Sequence, residues 1–178
     1  MPVRTFIALE LPELFEDEVT ALARQLRDVV GGRFMRRETY HVTLAFLGEV
    51  DEARARDAMA ALDEACAGRA AVGLAPDGLG TFGRPRDATL WLGLRPVPEL
   101  LTLAGDVRAA LDARGVAYDR KTFRPHITLA RRARMPQGEL PVLEFPEPGR
   151  ATRVTLFKSE LSSEGATYKP LYTIELAS

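Results

Sequence analysis

Two short stretches of the chain alternate polar and apolar side chains with the period of two that is typical of a half-buried β-strand. They are YHVTLA at positions 40–45 and PHITLA at positions 125–130. Because successive side chains of a strand point to opposite faces, each stretch places a histidine, a threonine and an alanine on one face. The aliphatic side chains between them share the other face. Each stretch therefore predicts a strand with one face in the core and one face free for chemistry.

Apolar residues spaced three and four positions apart predict three helices. The first runs from Pro12 to the glycine pair at 31–32, with Val29 as the last residue of its apolar face, the second spans 51–67, and the third spans 98–115. Between the helices, the first motif strand extends over 40–47. Further strands are predicted at 5–9, 71–74, 89–94, 153–161 and 168–176, with a hairpin turn at 162–165. Glycine and proline predict loops at 76–87 and 136–149, and the first of these is the predicted boundary between two lobes.

The order of these elements contains a repeat with an offset of 85 positions. The offset takes His41 to His126, Phe6 to Trp91, Ile7 to Leu92, Leu9 to Leu94 and Leu26 to Leu111. A unit of strand, helix and motif strand therefore recurs, at approximately 3–75 and 88–161. Such a duplication predicts two lobes within one domain, 1–178, related by a pseudo-twofold axis. The two His-x-Thr faces are then expected to meet across the groove between the lobes.

Composition places the chain among ordinary soluble globular proteins, with 46% hydrophobic and 28% charged residues in 178. The first apolar run, 6–9, is too short for a signal peptide or a membrane span. The single cysteine, Cys66, lies in an alanine-rich helical pattern, cannot form an internal disulfide, and is predicted to be a small buried residue. These features predict a cytoplasmic protein that does not enter the membrane.

Positive charge gathers around the two motifs although the net charge is only −1. The basic residues beside the motifs are Arg33, Arg36, Arg37, Arg120, Lys121, Arg124, Arg131, Arg132 and Arg134. Local clustering on a nearly neutral protein favours a phosphate-bearing ligand held in one cleft over a long duplex held by its backbone.

The motif residues suit acid–base chemistry on a small anion. Histidine gives or takes a proton near neutral pH, and a threonine two residues along the strand offers a hydroxyl on the same face. His41 and His126 are the only histidines in the chain, and they occupy equivalent points of the repeat. We therefore predict that both histidines are catalytic and that Thr43 and Thr128 bind the anion.

Other readings of the sequence are weaker. The stretch GLGTFG at 78–83 matches the glycine pattern of a dinucleotide fingerprint, but a strand follows it where that fingerprint needs a helix. Two histidines so far apart and one cysteine do not make a usual zinc site, so no metal is expected. The sequence also lacks the Gly-x-Ser-x-Gly elbow of a serine hydrolase.

The paired motifs resemble those of the 2H phosphoesterase superfamily, and the surrounding residues resemble its RNA 2′,3′-cyclic phosphodiesterases, which are also called 2′-5′ RNA ligases. The residues that carry the resemblance are His41 to Leu44, His126 to Leu129, Phe6 to Leu9, Phe46 to Gly48, Leu90 to Gly93, Arg124, Pro125, Ala130, Arg131, Leu156, Ser159, Leu161, Gly165 and Tyr168. The resemblance covers nearly the whole chain. It implies a bilobal α+β fold in which two antiparallel sheets face a central cleft, with helices on the outside and no metal cofactor.

The same resemblance implies roles for individual residues. His41 is implied to donate a proton to the 3′ oxygen that leaves, and His126 to accept a proton from water, which yields a 2′-phosphate; the pseudo-symmetry leaves the two roles interchangeable on sequence alone. Arg131 is implied to contact the phosphate. It lies five residues after His126, so a regular strand would turn it to the opposite face, and a twist or bulge is required.

The expected partner is an RNA or oligonucleotide end that bears a 2′,3′-cyclic phosphate, bound by a monomer, with reversible 2′-5′ ligation as a second outcome. Alternative substrates are 2′-5′ linked oligonucleotides and ADP-ribose 1″,2″-cyclic phosphate. A non-catalytic module that binds RNA ends is an alternative of another class, although binding alone does not need a matched acid and base. Phe46 and Phe123 are candidates for stacking on a base, but core packing is the commoner role of such residues.

Overall fold

Two antiparallel sheets of four strands and three helices form the core of the computed structural model, which describes residues 2–178. The strands are β1 (Val3–Glu10), β2 (Gly31–Phe34), β3 (His41–Val50), β4 (Val72–Leu74), β5 (Pro76–Arg84), β6 (Asp87–Leu94), β7 (His126–Arg134), β8 (Gly149–Ala151), β9 (Arg153–Ser162) and β10 (Gly165–Glu175). The helices are α1 (Glu13–Arg27), α2 (Glu52–Cys66) and α3 (Pro98–Ala113). This architecture confirms the predicted α+β class.

The strand order places the two motif strands in different sheets. One sheet has the order β10-β9-β1-β3, the other has the order β2-β7-β6-β5, and β4 and β8 form a separate two-stranded ribbon. The 85-residue offset takes β1 and β3 to β6 and β7, which are also antiparallel neighbours. One contiguous cluster of buried side chains includes residues of both sheets and all three helices. A shared core of this kind supports the single domain 1–178 and the repeat 3–75 and 88–161, which stay predictions.

Local sequence signals explain where the helices begin. The side chain of Asp51 accepts a hydrogen bond from the backbone N–H of Arg54 at 2.8 Å and so caps α2, as predicted. Pro98 occupies the first turn of α3, where its missing N–H has no effect on the helical hydrogen bonds. The prediction for the end of α1 was wrong, because the helix stops at Arg27, and Val30 rather than the exposed Val29 is buried.

The stretch 76–87 was predicted as a loop and a lobe boundary, but most of it is the strand β5, which pairs with β6 inside the second sheet. Its glycines misled the prediction because glycine is depleted in strands. Gly80 is required there, since a Cβ atom at this position would lie 2.2 Å from Cη2 of Trp91, whose ring lies across the strand. The antiparallel strand also excludes a dinucleotide fingerprint, which needs a helix at this point.

Each half of the chain contributes an extended segment to the sheet of the other half. Gly31 and Gly32, predicted only to end a helix, begin β2, which pairs with β7. In the opposite direction, the backbone N–H of Asp119 donates to the carbonyl of Phe46 in β3 at 2.8 Å. The 85-residue offset takes Phe34 of β2 to Asp119, so the two crossings occur at equivalent places. These two crossings connect the two sheets beside the motif strands.

Candidate active site

A cavity of about 880 Å³ lies between the two sheets and contains all five residues proposed from the sequence. These residues are His41, Thr43, His126, Thr128 and Arg131. One wall comes from β1, β3, β9 and β10, the other comes from β5 and β7, and the segment 119–124, which reaches β3 at Asp119, completes the lining. The volume is within the range of small-molecule sites in proteins.

Each motif strand has two bulges, and the one nearer the histidine changes which side chains face the cavity. In β3, Ile7 pairs with Ala45 and Ala8 pairs with Thr43, so Leu44 has no partner. In β7, Leu129 is left over in the same way, because the adjacent pairs join Leu90 to Ala130 and Trp91 to Thr128. An extra residue of this kind reverses the alternation of faces beyond it.

The reversed alternation shows that one prediction was wrong and supplies the bulge that another prediction required. Ala45 and Ala130, which were predicted to share the histidine face, are 1% and 0% exposed and belong to the core. Phe46 and Arg131, one residue further along, line the cavity instead. The bulge that the resemblance required for Arg131 is therefore present, and a matching bulge stands at the equivalent point of β3.

The two imidazoles are oriented by backbone carbonyl groups. Nδ1 of His41 lies 2.7 Å from the carbonyl oxygen of Thr39, and Nδ1 of His126 lies 2.6 Å from that of Arg124. A carbonyl oxygen only accepts hydrogen bonds, so Nδ1 carries the proton in both rings and Nε2 is left for a ligand. Sequence reasoning missed these contacts because a carbonyl is supplied by any residue type.

Aromatic side chains pack against each imidazole ring. The centroid of the His41 ring lies 4.8 Å from that of Phe6 and 5.4 Å from that of Tyr168. The centroid of the His126 ring lies 5.5 Å from that of Phe82 and 5.7 Å from that of Trp91. Phe6 and Trp91 are equivalent under the repeat. Phe82 and Tyr168 are not, and neither was assigned to the site from the sequence.

His41 differs from His126 in that its Nε2 lies 2.8 Å from Oγ1 of Thr43. The pKa of His41 is lowered from 6.5 to about 4, mainly by burial; the hydrogen bond to Thr39 opposes this shift, and electrostatic repulsion from His126 and Arg131 adds to it. The ring is therefore neutral at pH 7 without ligand, and the hydroxyl of Thr43 donates to its unprotonated Nε2. A bound anion would favour the protonated ring and so raise this pKa.

This depressed pKa predicts a pH dependence of folding that belongs to His41. Protonation favours the unfolded chain, where the pKa is near 6.5, so stability is highest above that pH and falls as the pH is lowered towards 4. The expected loss is about 3 kcal/mol. Urea unfolding between pH 4 and 7 should therefore show a smaller loss for His41→Gln than for the wild type. Parallel pH curves for the two proteins would contradict the prediction.

Positive charge dominates the cavity wall. The basic residues that line it are Arg4, Arg108, Lys121, Arg124 and Arg131, against the single carboxylate of Asp119 among the described lining residues. Arg108 also fixes the wall, because its guanidinium donates to the carbonyls of Leu44 at 3.1 Å and Lys121 at 2.8 Å. The sequence did not reveal Arg108, which lies in α3 far from either motif.

The other basic residues beside the motifs have different partners or lie outside the cavity lining. Arg37 pairs with Glu16 and Asp17, Arg120 pairs with Asp112, and Arg36 donates to the carbonyl of Ala166 at 2.6 Å. Arg33, Arg132 and Arg134 are exposed and do not line the cavity. Charge clustering in the sequence therefore located the cleft but not the individual residues that line it.

Residues 2–178 contain no group of three or more histidine, cysteine or acidic side chains placed to hold a metal ion. Cys66 is buried, as predicted, and burial raises the pKa of its thiol to about 11. Over the same described residues, no helix has the length and apolar character needed to cross a membrane.

Two antiparallel sheets that each present a His-x-Thr pair to one basic cavity define a phosphoesterase of the two-histidine class. Residues 13–161 match the model of the 2′-5′ RNA ligase superfamily, and the chain belongs to this family.

Individual relatives match over almost the whole chain. The RNA 2′,3′-cyclic phosphodiesterase of Thermotoga maritima is 30% identical over 176 residues, which is 96% of this chain and 94% of that protein. The crystal structure of Escherichia coli LigT complexed with 3′-AMP superimposes with a TM-score of 0.82 at 27% identity and covers 100% of both chains. A crystal structure of a Thermus thermophilus protein also gives a TM-score of 0.82, at 30% identity and 97% coverage of both chains.

Proposed function

We propose that this chain is an RNA 2′,3′-cyclic phosphodiesterase that opens a terminal 2′,3′-cyclic phosphate to a 2′-phosphate, acting as a cytoplasmic monomer on RNA ends. The observation that carries the proposal is the pair of imidazoles, each with Nδ1 held by a carbonyl, on two walls of one basic cavity. The name of the Thermotoga relative supports the reaction, and the 3′-AMP complex of the Escherichia coli protein supports a nucleotide ligand.

In the proposed reaction, His126 removes a proton from water as the water oxygen attacks phosphorus. The bond from phosphorus to the 3′ oxygen breaks, and His41 gives that oxygen a proton, so the product carries a 2′-phosphate and a 3′-hydroxyl. The hydroxyls of Thr43 and Thr128 and the guanidinium of Arg131 donate to the phosphate oxygens on which charge develops. Each residue of this set lines the cavity.

The role of His41 as the acid requires substrate binding to protonate it. Its pKa of about 4 leaves it neutral at pH 7 in the free protein. Burial is the main cause of this low pKa, and a phosphate anion beside His41 favours its protonated form and so raises the pKa in the complex. Thr43 then turns its hydroxyl from Nε2 of His41 towards a phosphate oxygen. A single binding event therefore protonates His41 and frees the hydroxyl of Thr43 to donate to the anion.

The first experiment is phosphorus NMR of a short RNA that ends in a 2′,3′-cyclic phosphate, incubated with the purified protein in excess EDTA. We expect complete conversion to the 2′-phosphate, with no 3′-phosphate signal. This result would establish the reaction, the bond that breaks and the independence from a dissociable metal. Formation of the 3′-phosphate would reverse the proposed leaving group. Binding without conversion would reject the reaction on this substrate and favour another cyclic or 2′-5′ substrate, or a module that only binds RNA ends.

The family description favours 2′-5′ ligation as a second activity of the same site. In that reaction the 5′-hydroxyl of another RNA replaces water, its oxygen bonds to phosphorus, and the same bond to the 3′ oxygen breaks. His126 and His41 keep their roles as proton acceptor and donor. The proposal therefore needs no additional residue for ligation.

A further inference from the structure

A row of three arginines leads out of the cavity along the paired strands β2 and β7. Arg131 lines the cavity, while Arg33 and Arg134 are exposed beyond its edge. We propose that Arg33 and Arg134 bind backbone phosphates of the RNA chain that precedes the terminal nucleotide, and so make RNA oligomers better substrates than cyclic mononucleotides. The inference rests on the proposed function, because it concerns the substrate of that same site.

The register of β2 and β7 places Arg33 and Arg131 on the cavity face of the sheet. The two residues pair directly, and the partners of an antiparallel pair point to the same face. The adjacent pair joins Phe34 to Ala130, which belongs to the core, so Arg33 and Arg131 face away from the core. Met35, two residues after Arg33, lines the cavity. Arg33 is therefore the next residue on this face as β2 leads out of the cavity.

A second bulge of β7, at Arg132, keeps Arg134 in line with Arg131. Gly31 pairs with Arg134, and β7 has one residue more than β2 between this pair and the pair at Arg131. Arg132 has a φ of 48°, in the left-handed region that a non-glycine residue rarely adopts. With this extra residue, Ala133 is 0% exposed and lies in the core. Arg134 therefore returns to the face of Arg131 and continues the row.

Each of the two arginines outside the cavity lies over a glycine. A Cβ atom on Gly31 would lie 2.8 Å from Nη2 of Arg134, and one on Gly165 would lie 2.8 Å from Nη2 of Arg33. Because glycine has no side chain, both guanidinium groups can lie close to the backbone there. Gly165 begins β10 in the other sheet and precedes Ala166, which lines the cavity. Arg33 therefore stands where the cleft opens between the two sheets.

No acidic side chain neutralises this row. Arg33, Arg131 and Arg134 form no ion pair with any residue from 2 to 178. Arg33 and Arg131 are directly opposite each other, and like charges in that arrangement destabilise a strand pair. The row therefore favours a ligand that carries several negative charges in line, as the backbone of single-stranded RNA does. Contacts to phosphates carry no sequence information, so the identity of the bases should matter little here.

The edge of the cavity formed by residues 119–124 offers fewer free cations to a chain. There Nζ of Lys121 lies 3.9 Å from a carboxylate oxygen of Asp119, and the guanidinium of Arg108 is held by two carbonyls. Of the three basic side chains at this edge, only that of Arg124 forms neither an ion pair nor a hydrogen bond within the described residues. We therefore expect the RNA chain to leave the cavity past Arg33.

The test compares two substrates of different length: adenosine 2′,3′-cyclic phosphate, which has no upstream phosphate, and pentaadenylate that ends in a 2′,3′-cyclic phosphate. We expect Arg33→Ala and Arg134→Ala each to lower kcat/KM for the pentamer by about threefold or more at low salt, through KM. The value for the mononucleotide should stay within about twofold of wild type. Arg24→Ala is the matched control, because Arg24 is an exposed arginine of α1 outside the cavity lining.

The salt dependence of the pentamer reaction is a readout that a general loss of structure would not reproduce. Log kcat/KM below saturation should fall linearly with log salt concentration, because phosphate contacts release counter-ions. The slope should become shallower by about 0.7 in each single variant and by about 1.4 in the double variant. Pentauridylate with the same cyclic end should show the same changes, because the contacts are to phosphate.

Unchanged pentamer kinetics and salt slopes in both variants would overturn the inference. The arginines would then act only as charges that protect the edge strand β2 from pairing with another chain. A loss of pentamer preference confined to Arg124→Ala would also overturn it, because the RNA chain would then leave past residues 119–124.

If the wild type hydrolyses neither substrate, the proposed function fails separately, and binding then decides the inference. Fluorescence anisotropy of 5′-labelled pentaadenylate with a terminal 2′-phosphate measures binding without turnover. We expect the Kd to rise about threefold or more in Arg33→Ala and in Arg134→Ala, and to stay near the wild-type value in Arg24→Ala. Equal Kd values in the wild type and all three variants would exclude the row as an RNA contact.

Discussion

Replacing either His41 or His126 with alanine is expected to lower kcat on an RNA 2′,3′-cyclic phosphate by about 10²–10⁴-fold, because in the proposed reaction each histidine transfers one proton during the displacement at phosphorus. The double variant is expected to lose little more than the worse single variant, since the two transfers accompany one displacement at phosphorus. Single-turnover kinetics with saturating enzyme measures this loss separately from substrate binding. A variant that keeps wild-type kcat would reject the proposed role of that histidine.

Control measurements separate catalysis from folding in these variants. Both imidazoles line the cavity rather than filling the core, so circular dichroism and the urea midpoint at pH 7 should stay close to wild type. His126→Asn adds a finer control. Its amide nitrogen is placed to donate to the carbonyl of Arg124 in place of Nδ1 but offers no acid or base. Retained structure with lost turnover in both His126 variants would assign the loss to the missing proton acceptor.

The sequence predicted the parts of the site that follow strand periodicity and the repeat. His41, Thr43, His126 and Thr128 come before either bulge, and all four line the cavity. Ala45 and Ala130 come after the bulges and were placed on the wrong face. In the stretches VTLA and ITLA the last two residues are both apolar. The hydrophobic pattern is therefore compatible both with a regular strand and with a strand that contains a bulge. Only the pairing with β1 and β6 reveals the reversal.

The main errors in the predicted secondary structure came from stretches that are rich in glycine. The strands β2 and β5 contain several glycines and, apart from Thr81, lack the β-branched residues by which strands are recognised, although they complete the two edges of the second sheet. Their stability comes from tertiary contacts, as the indole of Trp91 across Gly80 shows. Phe82 was hidden for the same reason, because it stands in the stretch that was predicted as a loop. Arg108 and the orienting carbonyls lay beyond sequence reasoning because they are brought to the site by tertiary structure alone.

The two neighbouring arginines at the end of β7 provide a matched pair for testing the phosphate contact. The bulge at Leu129 places Arg131 in the cavity, while Arg132 is exposed and does not line it. Loss of one preorganised donor to the developing charge predicts that Arg131→Ala lowers kcat/KM by about 10²-fold. Arg132→Ala removes the same formal charge one residue away and is expected to change kcat/KM by less than about twofold, as for a surface position. Arg131→Lys should recover part of the loss, because it restores the charge without the two-pronged geometry of a guanidinium.

A second measurement on the same pair tests the electrostatic link between Arg131 and His41. The charge of Arg131 contributes to the low pKa of His41, so Arg131→Ala should raise that pKa in the free protein, whereas Arg132→Ala should leave it near 4. Histidine proton NMR across pH 3–8 reads this directly, because the chain has only two imidazoles to assign. Equal activities and equal His41 titrations in the two variants would mean that the bulge has no functional consequence. A difference in both would show that the bulge at Leu129 lets Arg131 contact the phosphate and add to the burial that keeps the proposed acid neutral until substrate binds.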